Sequence, residues 1–256
     1  MTDKKHTDKP KSQDGNGELG NQAENQLPCS NISPKGDLFL GVRSHASTWM
    51  LRSAMRFTDQ AKRIEDDHPG EWKSPHVEEH KDLVIAAVLG AATFLEAMVN
   101  ELFADASDNL ETSGDRSLAP LSKKAICLMS DWWRETKQGV EGTLAKYQLL
   151  LEFNCQEKLD KGAEPYQSAD LLLKLRNKLI HYRPETVYVG DSNRFENRLS
   201  GRFPGNGLVA SKTSNYWLNC VLGAGCSQWS HETARALADE VVNRIGITPM
   251  YQRILK

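Results

Sequence analysis

Apolar side chains recur at helical spacing along most of the chain after about residue 37, in segments separated by polar stretches. From about 42 to 66, Trp49, Met50, Phe57, Ala61 and Ile64 predict an amphipathic helix. Arg52, Arg56, Lys62 and Arg63 fall mostly on its other faces, and His68-Pro69-Gly70 ends it. A longer helix is predicted from after Pro75 to about Ala106, with Val84, Val88, Leu95, Val99 and Leu102 as its central stripe. Ala86, Ala87, Gly90, Ala91 and Ala92 cluster within it. Gly90 costs helix propensity, but such small residues let a neighbouring helix approach closely. Leu121, Ala125, Leu128, Met129 and Trp132 predict a third helix from Pro120 to about Lys137, and Leu144 to Phe153 a fourth. Trp132 and Trp133 are adjacent and so face different ways, which predicts one in the core and the other at an interface or a base-stacking surface. A further helix over Asp170–Arg183 places Leu171, Leu172, Leu175, Leu179, Ile180 and Tyr182 on one apolar arc and ends at Pro184. Ser230 is the predicted N-cap of a last helix, which carries Ala234, Leu237, Val241 and Ile245 and stops at Gly246.

Two stretches break this pattern. Residues 1–36 have almost no large apolar side chain before Leu27, so they cannot bury enough surface to fold alone and read as a disordered polar tail. Between 185 and 229 the helical spacing gives way to Val187-Tyr188-Val189, a short strand candidate. A helical turn or two follows over Asn193–Leu199, then the turn-rich Gly201–Gly207. The predicted organisation is a mainly α-helical domain over 37–256. It has a helical core at about 77–183, an irregular flap or insertion at 185–229 with a possible short strand, and a C-terminal helix at 230–246.

Composition narrows the function classes. A formal charge of −2 over 256 residues excludes a generally basic protein that coats nucleic acid, so any contact with RNA must be a local patch. Five scattered cysteines, Cys29, Cys127, Cys155, Cys220 and Cys226, point to a reducing compartment rather than a disulfide framework. No N-terminal apolar stretch is present and no run reads as membrane-spanning, so a cytoplasmic protein with no membrane partner is expected.

The chemistry concentrates at one place. Arg176 lies inside the apolar arc of the Asp170–Arg183 helix, and a guanidinium cannot shed its proton, so a carboxylate, a partner chain or an anionic ligand must meet it. Asn177 and His181, four apart, lie at the polar edge of that arc beside Lys174 and Lys178. On the upstream helix, Glu96 and Asn100 are also four apart and lie at the edge of the apolar stripe, which makes Glu96 the predicted partner of Arg176. From Lys174 to Lys212 eight Lys/Arg residues face three acids, Glu185, Asp191 and Glu196, a local excess suited to phosphate.

Arg176-Asn-Lys-Leu-Ile-His181 resembles the R-[polar]-x3-H signature near the end of a helix in the HEPN superfamily, and Thr93–Phe103 is similar to the upstream helix that carries an acidic residue facing it. The resemblance covers about residues 77–183. It implies a HEPN-like helical bundle and a metal-independent endoribonuclease of the toxin or abortive-infection, anti-phage defence type, with no cofactor and no metal. It further implies a homodimer through the motif helix and an antitoxin or sensor chain as a candidate partner. In that reading His181 is the acid/base, Arg176 holds the scissile phosphate, Asn177 orients it and Glu96 positions the arginine. Asn100, Lys174, Lys178, Tyr182 and Arg183 are the expected substrate contacts.

Other readings compete with this one. Some members of the superfamily bind nucleotides or partner proteins without cleaving, and a structural bundle needs Arg176 only as an ion-pair partner. His76-Val-Glu-Glu-His80 matches the H-x-x-E-H pattern of a zinc peptidase, with Glu152 or Glu157 as a third-ligand candidate. The charged surroundings, Glu71, Lys73, Glu78, Glu79 and Lys81, instead predict exposed residues of a helix start. Cys220, Cys226 and His231 are too sparse for a zinc site.

Overall fold

The long central helix predicted after Pro75 is present as α2 (His76–Ser107), and its predicted stripe of Val84, Val88, Leu95, Val99 and Leu102 is buried. Burial extends further round the helix to Ala87, Ala91, Phe94, Met98 and Phe103, because neighbours cover it on several sides. The structure is a computed structural model and describes residues 45–73, 75–108, 118–136, 141–184, 186, 194–209 and 216–254. The tail at 1–36, the loop at Ser113–Asp115 and the strand candidate Val187–Val189 lie outside those residues. Among the described residues all regular secondary structure is helical, so the chain is mainly α.

α1 (Ser47–Asp67), α3 (Lys123–Glu135), α4 (Thr143–Phe153), α5 (Tyr166–Ile180) and α8 (Ala224–Ile245) all pack against α2. Three short helices complete the set: α6 (Arg194–Leu199), α7 (Trp217–Val221) and α9 (Met250–Ile254). The α1–α2 contact is close at Gly90, where a Cβ would lie 3.3 Å from the Met50 carbonyl oxygen and 3.4 Å from the Ala54 Cβ. The small-residue cluster thus serves the close approach expected of it. It also corrects the face assigned to α1. Leu51, Ala54, Thr58 and Ala61 are buried there, while Trp49 is 59 % exposed and Phe57 and Ile64 are only partly covered. Small side chains win the contact because a tryptophan between the helices would hold them apart.

By length and composition α2 is apolar enough to cross a membrane, which corrects the expectation that no run does so. Glu96 interrupts the run without making it polar on average. Half of the apolar window is buried inside the protein, so neighbouring helices already cover much of that surface.

Three further expectations change. Trp132 and Trp133 are both half-buried and both lie against Phe103, at ring-centroid distances of 4.7 and 6.2 Å, so neither is a free stacking surface. Ser230 is not a cap: α8 begins at Ala224, and Ser230 is buried within it with its hydroxyl donating to the Cys226 carbonyl at 2.8 Å. Its predicted end at Gly246 holds, with φ +78 in the left-handed region that glycine tolerates. Of the 185–229 flap, 186, 194–209 and 216–229 are described; α6, α7 and the start of α8 make it more helical than expected, and 194–209 is packed. Buried Asn206 accepts from the Leu208 N–H and donates to the carbonyls of Asn219 and Leu222 at 2.9 to 3.0 Å. Arg202 reaches Glu164 and Ser168 at 3.0 and 2.9 Å, which ties this segment to α5.

Candidate functional site

α5 starts a turn earlier than predicted, at Tyr166, and ends at Ile180, with His181 as its C-cap. Pro184 lacks an N–H and biases Arg183 away from helical torsions, so the chain leaves the helix ahead of it. The consequence corrects the predicted arc. Leu171, Leu172 and Leu175 are buried, but Ile180 and Tyr182 are 54 % and 49 % exposed, because they stand at or beyond the helix end rather than on its packed face.

Arg176 donates to Glu96 Oε2 at 3.2 Å, joining α5 to α2 across eighty positions of sequence, as the buried-guanidinium reasoning required. Glu96 remains 45 % exposed and Arg176 24 %, so the pair opens to solvent on one side. One turn further along α2, Asn100 does not point to open solution. Its Oδ1 accepts from Lys146 Nζ at 2.7 Å.

Lys146 is the residue that sequence reading missed. It lies on α4 among Thr143, Leu144, Tyr147, Leu150 and Leu151, is buried, and has its ammonium 5.9 Å from the Trp133 ring centre. Burial pushes its pKa below the ordinary lysine value, against the opposing pull of the Glu96 carboxylate. The signal that could have found it is the one that marked Arg176: a lone cation inside an apolar face. Arg176, Glu96, Asn100 and Lys146 therefore form one polar cluster between α2, α4 and α5, with two cations to one carboxylate when Lys146 is protonated. Such a cluster can hold an anionic group at its open side.

The other half of the motif faces elsewhere. Asn177 is exposed, about 100° round the helix from Arg176. His181 is exposed, donates its backbone N–H to the Asn177 carbonyl at 2.9 Å, and lines a cavity of about 120 Å³ at the end of α5. Lys178, Tyr182 and Arg183 line the same cavity, with Tyr216, Trp217 and Leu218 from the start of α7. Lys178 Nζ lies 5.5 and 5.6 Å from the ring centres of Phe195 and Trp217, within cation–π range. Lys174 pairs with Asp170 at 2.5 Å, and Arg198 approaches the same carboxylate at 3.5 Å. The charge excess predicted for this stretch is thus partly offset. Lys178 and Arg183, rather than Lys174, are the cations beside His181.

The zinc pattern does not converge. His80 is fully buried, which corrects its assignment as an exposed helix-start residue, and its Nε2 lies 2.8 Å from Glu65 Oε1. Glu65 also accepts the Ala224 N–H at 2.8 Å, where α8 begins, so this histidine belongs to an α1–α2–α8 junction. His76 instead stacks on His68 at 4.3 Å between ring centres. No group of three His, Cys, Asp or Glu side chains suited to a metal occurs among the described residues. Compared with known proteins, the chain matches no protein-family model, no curated protein and no solved structure.

Proposed function

We propose that this protein is a metal-independent endoribonuclease of HEPN type, acting in a toxin or anti-phage defence role. The observation that carries the reading is the Arg176–Glu96 bridge at 3.2 Å on the helix whose end presents an exposed His181. RNA supplies its own nucleophile. The 2′-oxygen bonds to phosphorus while the bond to the 5′-oxygen breaks, leaving a 2′,3′-cyclic phosphate and a free 5′-hydroxyl. His181 takes the proton of the 2′-hydroxyl or returns one to the departing 5′-oxygen, a task suited to imidazole near neutral pH. Arg176, held by Glu96, offsets the charge that builds on the phosphate. In this reading the two functions meet across a homodimer, with Ile180 at the exposed end of the motif helix facing the second copy.

A second reading, a nucleotide- or partner-binding module without cleavage, is favoured by one feature: Arg176 faces α2 while His181 opens onto a separate aromatic cavity. Cleavage of a mixed RNA pool in EDTA by the wild type and by His181→Ala, with analysis of product ends, separates the two. Cyclic-phosphate ends from the wild type and none from the variant are expected. Equal cutting by both, or cutting by neither, removes His181 from this chemistry.

A further inference from the structure

The cavity beside His181 has a composition that the cleavage reaction alone does not require. It measures about 120 Å³, well under the roughly 300–1,000 Å³ of pockets that enclose a whole drug-sized ligand, so it takes a single ring system. Its walls are aromatic and basic. Tyr182, 49 % exposed, is joined to Tyr216 by a hydroxyl–hydroxyl hydrogen bond of 3.0 Å, and the two come from opposite ends of an intervening segment of sequence. Trp217, 3 % exposed, adds a third aromatic ring to the wall. His181, Lys178 and Arg183 supply donors or positive charge, and none of the described lining residues is a carboxylate.

A planar ring attached to an anion fits these features. We propose that this cavity is a nucleobase subsite, which takes the base of an RNA nucleotide next to the scissile phosphate against Tyr182 and Tyr216 while Lys178 and Arg183 meet its phosphates. The proposal rests on the endoribonuclease reading for the identity of the strand. Stacking on a tyrosine face tolerates every base, because every base has a π-face, so the subsite gains affinity without selecting one base.

The test measures binding separately from cutting. A fluorescein-labelled oligoribonucleotide fully 2′-O-methylated lacks the nucleophile and cannot be cleaved, so its anisotropy with wild type, Tyr182→Ala and Tyr182→Phe reads the subsite alone. Tyr182→Ala is expected to weaken binding about tenfold, at the loss of one stacked base, and Tyr182→Phe to stay within about threefold of wild type. Circular dichroism melting of each variant confirms that it is folded. Equal binding by Tyr182→Ala and wild type, or an equal loss toward inorganic polyphosphate, overturns the subsite and leaves only a charged patch. Mononucleotides that bind as tightly as the oligonucleotide overturn the strand assignment. A wild type that never cleaves RNA yet loses oligonucleotide binding through Tyr182→Ala keeps the subsite and refutes the nuclease. One that cleaves unchanged in rate and base preference with Tyr182→Ala does the reverse.

Discussion

Removing the charge of Glu96 separates a stabilising ion pair from a positioning one. At the observed 3.2 Å, Coulomb attraction in water is about 1.3 kcal/mol, and the cost of ordering two long side chains subtracts from it. With Glu96 45 % and Arg176 24 % exposed, the pair belongs with solvent-screened bridges worth about 0.2–1 kcal/mol. A double-mutant cycle of Glu96→Gln, Arg176→Met and the combination, read by urea unfolding, should therefore give a coupling energy in that range. The pair term should move the melting temperature by no more than about 2–4 °C. On the proposed endoribonuclease reading, cleavage should respond far more strongly. If Glu96 fixes the guanidinium where the phosphate sits, Glu96→Gln lowers the initial rate on a quenched-fluorophore oligonucleotide by about a hundredfold, the usual consequence of a catalytic group displaced by about 1 Å. A coupling above about 3 kcal/mol would refute the solvent-screened assignment, because only a desolvated structural bridge behaves so. Wild-type cleavage by a folded Glu96→Gln protein would refute the positioning role.

Three other outcomes follow from the packing. Lys146→Met removes a buried ammonium whose protonated form burial disfavours and replaces it with a side chain of similar shape, so stability should change by less than about 1.5 kcal/mol. A loss of several kcal/mol in urea unfolding would show that the Asn100 contact carries the α2–α4 junction. Gly223→Ala should lower stability by about 1–3 kcal/mol, because its Cβ would lie 2.5 Å from the Asn206 Cα and 2.9 Å from Glu65 Oε1. The backbone there (φ −130, ψ 177) suits any residue, so the cost is steric, and an unchanged thermal midpoint contradicts the close contact. Burial pushes the His231 pKa below the ordinary histidine value and Arg235 adds to this, while Glu232 and Asp59 pull the other way. The unfolded chain then binds the proton first, so stability is fully present above about pH 6.5 and is lost as pH falls through the folded-state pKa. His231→Gln should reduce the drop in melting temperature between pH 7.5 and 5.5, and an identical drop in both proteins removes His231 as its source.

Much of the helical layout was legible because periodicity reports directly on which side of a helix avoids water. The stripe of α2, the small-residue contact at Gly90 and the glycine stop at Gly246 all follow from local pattern. So does the Glu96–Arg176 pair, since a charge within an apolar face demands a partner and few carboxylates stood at such an edge. Lys146 obeyed the same rule and was overlooked, as a lysine's long stem usually carries its charge out to solvent.

What local pattern does not contain is which of two adequate faces is buried, and where distant segments meet. α1 buries Leu51, Ala54 and Ala61 rather than Trp49, a choice made by the close approach to α2 at Gly90. His80 reads as a charged helix start, yet Glu65 and the beginning of α8 enclose it, a junction spanning more than a hundred residues. The division of the motif is of the same kind. By itself the sequence determined that Arg176 needs an anion and that His181 stands near the end of its helix. Only the tertiary structure decided that the first faces α2 while the second opens onto Tyr182, Tyr216 and Trp217, because side-chain direction at a helix end depends on where the chain turns and on which distant residues are already there.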